Sequence, residues 1–321
     1  MEKAEPEERF LILVSSYTHG FFAKDVKGDG VSILFFEPKM KKLEVKSVFN
    51  EVPNLSFLAF SMSDKIVLGA SEMDFGALVS LELDEDVYSL KLIDSLETKG
   101  KDACHICLDP KNEIVIVTNY TSGNFSIFSF DKTNGKLIKN IQTVELKFLG
   151  NGPILDRQQQ AHAHCAVFEP TYNSLYISDL GGDKIHIFHF DPKVKQAVPF
   201  EKQPYFKVEP GLGPRHLCLS KDGRFLYSVN ELKPILSVFS VKNEKKDGSL
   251  VLIQTIKTIF ENPLKENYNA EIQIHPSNKF LFSSNRGYDV ISIYSIDEKT
   301  GLVSFIKHQT TLGKIYVCCN L

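Results

Sequence analysis

The chain has 321 residues, of which 43% are hydrophobic, and a formal net charge of −3. This length can bury a large core, as one large β domain or two smaller domains, and the near-balanced charge leaves no basic face for a nucleic-acid partner. The longest apolar runs, such as Phe10 to Val14, are too short to span a bilayer, and the acidic opening MEKAEPEERF is unlike a secretory signal, so we expect a cytoplasmic protein with no membrane partner.

The first predicted strand covers residues 10–17, in the segment FLILVSSY. Beyond it, short runs rich in Val, Ile, Phe, Leu and Tyr are bounded by Asp, Asn, Gly and Lys turns, which is typical of strands. No segment shows a sustained 3.6-residue period with helix caps. The sequence therefore predicts an all-β protein, which we expect to form a single domain over residues 1–321.

Five segments repeat one pattern, consisting of an apolar triplet, a turn, an apolar run and a small or polar residue near the end. In chain order these segments are LAFSMSDKIVLGASE (58–72), ICLDPKNEIVIVTNY (106–120), AVFEPTYNSLYISDL (166–180), LCLSKDGRFLYSVNE (217–231) and IQIHPSNKFLFSSNR (272–286). Each is followed by another strand pair, beginning with runs such as GALVSLEL and GNFSIFSF. Four strands per unit, recurring at roughly 50 to 60 residues, predict a β-propeller. A tandem β-sandwich, the alternative, would not predict one repeated four-strand unit.

The second of these segments is preceded by Cys104, and Cys104 and Cys107 together match C-x-x-C. Side chains three residues apart on a strand point to opposite faces, and no second C-x-x-C completes a set of four ligands. Six cysteines in a chain of this length also do not suggest a disulfide scaffold. We therefore predict no metal site and no cofactor.

The repeat also predicts which side chains meet. The first two strands of each unit, a and b, are antiparallel, so the start of a and the end of b lie at the same edge, which in a propeller surrounds the central channel. The start of a carries, in successive units, Cys104, His164, Arg215 and Ala270. The end of b carries Glu72, Tyr120, Leu180, Glu231 and Arg286. We therefore predict that His164, Arg215, Glu231 and Arg286 converge on one face near the axis.

Each of these four residues also has an ordinary structural interpretation. His164 could cap a strand, Arg215 could be an exposed rim cation, and Glu231 and Arg286 could form an exposed ion pair contributing at most about 1 kcal/mol. Exposed rim arginines of this kind would contribute little to folding. Taken together, however, two Arg, one Glu and one His at a channel mouth indicate an anion-binding site with a general acid or base.

Several motifs occur in the order found in a known family. The motifs are RQQQAHAHCAVFEP (157–170), SDLGGDKIHIF (178–188), GPRHLCLSKDGRFLYSVNEL (213–232) and NAEIQIHPSNKFLFSSNRGYDVISIYSID (269–297), with weaker matches in VSSYT (14–18) and NYTSGNFSIF (119–128). From about residue 10 to residue 308 the chain resembles the lactonase family of seven-bladed β-propellers. This family includes bacterial-type 6-phosphogluconolactonases and fungal 3-carboxy-cis,cis-muconate lactonizing enzymes.

The resemblance implies an active site. In the lactonizing enzymes a His, two Arg and a Glu are the proposed catalytic groups, and by motif they match His164, Arg215, Glu231 and Arg286. Either arginine would hold a phosphate or polarise the lactone carbonyl, and either His164 or Glu231 would take a proton from the attacking water. Five further residues are expected to bind the substrate: Arg157, Gln158, His162, His216 and Glu271.

The resemblance also implies a function. It favours a monomeric lactonase, a carboxylic-ester hydrolase that opens an anionic sugar lactone without a metal. The most specific expectation is hydrolysis of 6-phosphogluconolactone to 6-phosphogluconate in the pentose phosphate pathway. Two alternatives remain open, namely a carboxymuconate cycloisomerase using the same residues and a non-catalytic propeller scaffold.

One departure from the family pattern concerns the ring. Family members usually carry another full repeat after the blade that contains SNRG (284–287), whereas here that blade is followed by TTLGKIYVCCNL (310–321). The first repeat begins directly with strand b. We therefore expect a propeller of the seven-bladed lactonase type with its last blade largely missing. The alternative is a ring of six blades, closed by a strand at KIYVCCNL (314–321) that pairs with residues 10–17.

Overall fold

The computed structural model describes residues 10–20, 28–61, 65–148, 152–171, 174–242, 248–260 and 266–313. Within these ranges every regular element is a β-strand, and the strands form six antiparallel sheets. No helix in the described ranges is long and apolar enough to cross a membrane. The prediction of an all-β propeller is therefore confirmed, with six blades among the described residues.

The strands of each blade are numbered in chain order. Blade 1 contains β1 (Phe10–Ser15), β2 (Val31–Glu37) and β3 (Lys42–Phe49). Blade 2 contains β4 (Leu55–Phe60), β5 (Ile66–Ser71), β6 (Ala77–Asp84) and β7 (Ser89–Glu97). Blade 3 contains β8 (Ala103–Leu108), β9 (Ile114–Asn119), β10 (Asn124–Phe130) and β11 (Leu137–Glu145).

The second half of the chain continues the same arrangement. Blade 4 contains β12 (Ala163–Phe168), β13 (Ser174–Asp179), β14 (Lys184–Asp191), β15 (Gln196–Pro199) and β16 (Tyr205–Lys207). Blade 5 contains β17 (Pro214–Leu219), β18 (Phe225–Asn230), β19 (Ile235–Lys242) and β20 (Ser249–Lys257). Blade 6 contains β21 (Tyr268–Ile274), β22 (Phe280–Arg286), β23 (Val290–Ile296) and β24 (Val303–Thr310).

Every blade is an antiparallel sheet in which consecutive strands pair, except that β16 of blade 4 pairs with β14 rather than with β15. Blade 1 has three strands among the described residues and begins with strand b, as the sequence predicts. Blade 4 differs from the prediction of four strands because its outer strand is divided: residues 188–191 of β14 pair with β15, and residues 184–186 pair with β16. The intervening segment, residues 200–204, contains Pro204, whose missing N–H cannot continue a ladder.

The core lies between neighbouring blades. Every residue of β9, β13 and β18 is buried, whereas the outer strand β20 is largely exposed or half-buried. Between blades 3 and 4, for example, Phe125 and Ile127 share one apolar cluster with Leu175 and Ile177. Each such side chain contributes about 1.5–3 kcal/mol relative to an exposed position. Because both faces of the inner strands are covered, they appear in the sequence as continuous apolar runs rather than alternating ones.

The first strand of blades 2 to 6 carries a β-bulge, which follows its first paired residue in blades 2 to 5 and its second in blade 6. Ser56, Cys104 and His164 are the extra residues in blades 2, 3 and 4, and in blades 5 and 6 two residues of the first strand lie opposite one of the second. A bulge re-aims side chains that would otherwise alternate between faces. Ring contacts across the blades join side chains at or next to these bulges, namely Phe57, His105, His164 and His216. We refer to the side chains around Glu231 and Glu72 as the upper layer and to His216 and Glu271 as the lower layer.

Candidate active site

Glu231 is the centre of the upper layer. It follows β18 directly and is only 4% exposed. Its Oε1 accepts a hydrogen bond from Nη2 of Arg157 at 2.6 Å, and its Oε2 accepts one from Nε of Arg215 at 2.8 Å. Nη2 of Arg286 lies 3.1 Å from the same Oε2. The structure thus brings all four predicted catalytic residues together, with Arg215 and Arg286 in direct contact with Glu231 and His164 at 3.8 Å from it, and adds Arg157 to them.

The three guanidinium groups are held by different elements. Arg215 lies on the bulge of β17 and also donates from Nη1 to the carbonyl of Ala270 at 2.8 Å. Arg286 ends β22, and its Nη2 lies 3.3 Å from the carbonyl of Asn269. Both arginines are therefore anchored to the first strand of blade 6, which fixes their distance from the carboxylate.

Arg157 comes from the loop before β12, and Gln158 holds that loop in place. Gln158 is fully buried, its Nε2 donates to the carbonyl of Leu180 at 3.0 Å, and its Oε1 accepts from the N–H of Ile154 at 3.3 Å. Both ends of this amide are thus bonded to main chain. Direct substrate binding by Gln158 stays a prediction, while its observed contacts position Arg157.

The charges around Glu231 decide its protonation state. Burial alone would raise the pKa of this carboxyl, but the neighbouring Arg286, Arg215 and Arg157 hold the pKa at about 2. Glu231 is therefore ionised at neutral pH and a poor proton acceptor, because an effective base has a pKa near the working pH. Three guanidinium groups around one carboxylate leave an excess of positive charge, which suits an anionic ligand.

His164 lies beside this cluster on the bulge of β12. Its Nε2 is 3.8 Å from Oε2 of Glu231, and its ring packs edge-on against Tyr120 and His216. Burial, together with the charges of Arg215 and His216, holds the pKa of His164 well below its usual range. The imidazole is therefore neutral at pH 7 and can accept a hydrogen bond at its unprotonated ring nitrogen.

His162 supports the wall of the site rather than the arginine cluster itself. Its ring stacks on Tyr120 with the ring centres 4.4 Å apart, and its Nδ1 donates to the carbonyl of Tyr120 at 3.0 Å. The hydroxyl of Tyr120 in turn accepts a hydrogen bond from Nη2 of Arg157 at 3.1 Å. His162 is thus linked to Arg157 through Tyr120, and its predicted contact with substrate stays a prediction.

His216 and Glu271 form the lower layer, and His216 directly follows Arg215 on β17. Nδ1 of His216 donates to Oε2 of Glu271 at 2.9 Å, and both side chains are buried. The His216 ring also packs edge-on against the rings of His105 and Phe57, which come from blades 3 and 2. These contacts show that side chains of blades 2, 3 and 5 converge here. Substrate binding by His216 and Glu271 stays a prediction.

The ordinary structural interpretation of Arg215 as an exposed rim cation does not hold. Arg215 is only 4% exposed, because it lies under the loop that carries Arg157 and against blade 6. The exposed fraction of the side chain rises from 5% in Arg215 to 17% in Arg286 and 33% in Arg157. Arg215 is therefore part of a buried ion pair, and removing it would leave Glu231 less well compensated.

Glu72 and Tyr17, two residues of the upper layer, were not among the site residues predicted from the sequence. Glu72 occupies in blade 2 the position that Glu231 occupies in blade 5, directly after the second strand, and it is 5% exposed. The hydroxyl of Tyr17 donates a hydrogen bond to its Oε2 at 2.7 Å. Glu72 could have been found from the repeat, which aligns it with Glu231, whereas the partner Tyr17 depends on the path of the loop after β1.

The C-x-x-C segment contributes to packing. Cys104 and Cys107 are free thiols, and Sγ of Cys104 lies 3.9 Å from Nδ1 of His164. Burial raises the pKa of Cys107 to about 12, so this thiol stays protonated. In the part of the chain that the structure describes, no group of three or more His, Cys, Asp or Glu side chains is arranged to hold a metal ion.

Fold and site together define a class of protein, namely a β-propeller in which three arginines contact one buried carboxylate at the edge where the second strands end. The family model described as "Lactonase, 7-bladed beta-propeller" matches residues 11–315, and the chain belongs to this family. The resemblance seen in the sequence is thereby confirmed.

Individual relatives agree with this assignment. The chain is 31% identical over 301 residues to a 6-phosphogluconolactonase from Formosa agariphila, a match covering 92% of this chain and 83% of the relative. It is 25% identical to a 6-phosphogluconolactonase from Bacillus subtilis, with 92% and 82% covered. A solved structure from Bacteroides fragilis, provisionally named as a 6-phosphogluconolactonase, superposes with a TM-score of 0.83 at 28% identity, covering 97% of this chain and 84% of that one. The periplasmic gluconolactonase PpgL of Pseudomonas aeruginosa, at 22% identity and a TM-score of 0.86, shares the fold.

Proposed function

We propose that the protein hydrolyses the ester bond of an anionic sugar lactone, most specifically 6-phosphogluconolactone, to the open-chain acid. The observation that carries this proposal is the ring of Arg157, Arg215 and Arg286 around the ionised Glu231, in a chain that belongs to the lactonase family. The names of its relatives from Formosa agariphila and Bacillus subtilis support the same substrate class.

The arginines can stabilise the charge that develops in this reaction. Attack of water on the lactone carbonyl produces a tetrahedral oxyanion, and fixed N–H donors aimed at that oxygen lower the barrier. Nε of Arg286 is buried and has no hydrogen-bond partner among the described residues, so it is a donor available to a ligand. Losing one donor of this kind typically lowers kcat about 10²- to 10³-fold.

The phosphate of the substrate would meet the outer arginines. A guanidinium group binds a phosphate through two parallel N–H donors, and Arg157 is the most exposed of the three. Glu231 keeps the arginines in place. Because three guanidinium groups surround this one carboxylate, the cluster offers an excess of positive charge to the entering phosphate. His164, neutral and adjacent, would bind a polar group of the sugar.

The broader setting follows from this activity. A 6-phosphogluconolactonase acts in the pentose phosphate pathway, and we expect a cytoplasmic monomer whose residues 1–321 form one domain. Sedimentation velocity on the purified chain would test the monomer directly.

The test of the proposed function is a substrate panel. We expect the protein to accelerate the opening of freshly prepared 6-phosphogluconolactone beyond its spontaneous rate, and to act less efficiently on the lactone without phosphate, because the outer arginines then lack their ligand. Turnover of 3-carboxy-cis,cis-muconate with no lactone opening would instead identify a cycloisomerase. Activity on none of these compounds would contradict the proposal and favour a non-catalytic scaffold.

A further inference from the structure

The upper layer contains two carboxyl groups at equivalent positions of the repeat, in opposite environments. Glu231 follows the second strand of blade 5 and touches three guanidinium groups. Glu72 follows the second strand of blade 2, and among the described residues no lysine or arginine forms an ion pair with it. Its side-chain partner is the neutral hydroxyl of Tyr17, 2.7 Å away.

Both carboxyl groups lie within electrostatic range of Arg215. Arg215, which binds Glu231, is close enough to lower the pKa of both Glu72 and Tyr17 through its charge. Between the two carboxyl groups, around the rim, lie Cys104 and His164, whose Sγ and Nδ1 are 3.9 Å apart. By its position in the repeat, Glu72 therefore lies at the same edge of the ring as the arginine cluster, three blades from Glu231.

We propose that Glu72 is the group that moves the proton in lactone hydrolysis, while Glu231 only holds the arginines; this assignment rests on the function proposed above. Two carboxyl groups in one site take different roles when their surroundings favour different protonation states. Glu231, ionised and bonded on both oxygens, has little capacity to accept a proton. Glu72 has the opposite environment, since no lysine or arginine of the described ranges is in direct contact with it.

The groups around Glu72 support this role. Burial raises its pKa, the nearby Asp102 raises it further, and the hydroxyl groups of Ser56 and Tyr17 and the charge of Arg215 lower it, with a net rise. Cys104 is also within electrostatic range of Glu72, but its own pKa is raised and it is uncharged at neutral pH. A carboxyl group whose pKa is raised toward the working pH is a more effective proton acceptor and donor than an ordinary one.

The proposed step balances as follows. The carboxylate of Glu72 takes a proton from water as the water oxygen bonds to the lactone carbonyl carbon, and the carbonyl electrons move to the oxygen facing the arginines. When this oxyanion collapses, the bond from the carbonyl carbon to the ring oxygen breaks, and the Glu72 carboxyl returns its proton to that ring oxygen. The product acid then loses its own proton to solvent, and Glu72 is a carboxylate again.

The test compares Glu72→Gln, Tyr17→Phe and wild type by their pH profiles on freshly prepared 6-phosphogluconolactone. We expect Glu72→Gln to lower kcat about 10²- to 10⁴-fold with little change in KM, as for loss of a general base. Tyr17→Phe removes a hydrogen bond that favours the carboxylate, so the pKa of Glu72 rises and the acidic limb of kcat/KM moves to higher pH. Glu82→Gln, at an exposed position of the same blade, is the matched control and should behave as wild type.

The outcomes separate this assignment from the function on which it rests. An active wild type with an equally active Glu72→Gln variant would overturn the role of Glu72 alone. A Tyr17→Phe variant whose acidic limb does not move would do the same, and this variant decides the matter if Glu72→Gln fails to fold. A wild type that opens the lactone no faster than water does would overturn both proposals.

Discussion

At the residue scale, Glu231 owes its charge to its neighbours rather than to solvent. It is almost completely buried, yet three arginines hold its pKa at about 2. Because burial by itself would neutralise a carboxyl group, the arginines and the carboxylate depend on each other. The site therefore needs this ion cluster to be intact before any substrate arrives.

Glu231→Gln should reveal this dependence in the stability of the protein. The change leaves three guanidinium groups without their counter-charge, and we expect the free energy of unfolding to fall by about 3–5 kcal/mol near pH 7. The folded pKa of about 2 lies below the unfolded value of 4.5, so this contribution is fully present above pH 4.5 and is lost as pH falls toward 2. The gap between wild type and variant in urea unfolding should thus be smaller at pH 3 than at pH 5.

A suitable control is Glu97→Gln, which removes an exposed carboxylate from the end of β7. It should leave the unfolding free energy within about 0.5 kcal/mol of wild type. An equal gap between wild type and Glu231→Gln at both pH values would show that the carboxylate is not held ionised by its neighbours.

The sequence predicted much of the site at this scale. The grouping of Arg215, Glu231 and Arg286 followed from the repeat alone, because a repeated strand pair returns equivalent positions to the same edge. The burial of Arg215 was missed, since it depends on the loop that carries Arg157 and on a contact with blade 6. The contact between Tyr17 and Glu72 joins residues 55 positions apart, and no local pattern indicates it.

At the element scale, a polar residue at the end of each second strand lies at the sheet edge that carries the site and can bind main-chain groups there. In blade 4 this residue is Asp179, which is fully buried. Its Oδ1 accepts hydrogen bonds from the N–H groups of His162 at 2.8 Å and Gly182 at 2.9 Å, and its Oδ2 lies 3.3 Å from Nε2 of His186. Asp179 therefore fixes the start of β12, two residues before the bulge at His164.

Asp179→Ala should destabilise the protein and disturb the site together. A buried N–H donor at His162 and a partly buried one at Gly182 would lose their acceptor, at about 1–3 kcal/mol for a buried donor, so we expect the free energy of unfolding to fall by about 2 kcal/mol in urea unfolding. Lactone hydrolysis should also decrease, since the main chain beside His164 loses its anchor. Asp191→Ala, which removes only an acceptor for the N–H of Lys193 in an exposed turn, is the matched control. Equal stability of the two variants would contradict this role for Asp179.

The strands themselves were well predicted from short apolar runs that are bounded by turn residues. The bulges were not, because a bulge is defined by the register between two strands and leaves no distinct pattern in either one. The divided outer strand of blade 4 was missed as well. There the chain leaves the sheet for residues 200–204 and returns to the same partner strand, and this path depends on tertiary contacts.

At the scale of the whole molecule, the first strands of blades 2 to 6 are successive neighbours around the axis. This arrangement brings residues from blades 2, 3 and 4 into contact with His216 of blade 5, through Phe57, His105 and His164. The site is thus a property of the assembled ring rather than of one blade. The repeat predicted this convergence, since equivalent positions of a propeller face a common channel.

The closure of the ring stays a prediction. Residues 314–321, which we expect to form a strand, lie outside the described residues, and so does the pairing of that segment with residues 10–17. The Bacteroides fragilis structure is matched over 84% of its length and the family model is seven-bladed, while six blades lie among the described residues here. Apart from Tyr17, which follows β1 of blade 1, the residues of the proposed site come from blades 2 to 6, each of which has its first strand in place.

The most direct test of the account is the steady-state hydrolysis of freshly prepared 6-phosphogluconolactone by wild type and Arg286→Ala, corrected for spontaneous opening. We predict that wild type opens the lactone far faster than water does, and that Arg286→Ala lowers kcat/KM by about 10²-fold or more because an oxyanion or phosphate donor is lost. Arg224→Ala, which removes an exposed arginine paired with Asp222, should match wild type. A wild type no faster than the spontaneous reaction, or an Arg286→Ala variant as efficient as wild type, would contradict the claim that the arginine cluster around Glu231 is a lactonase active site.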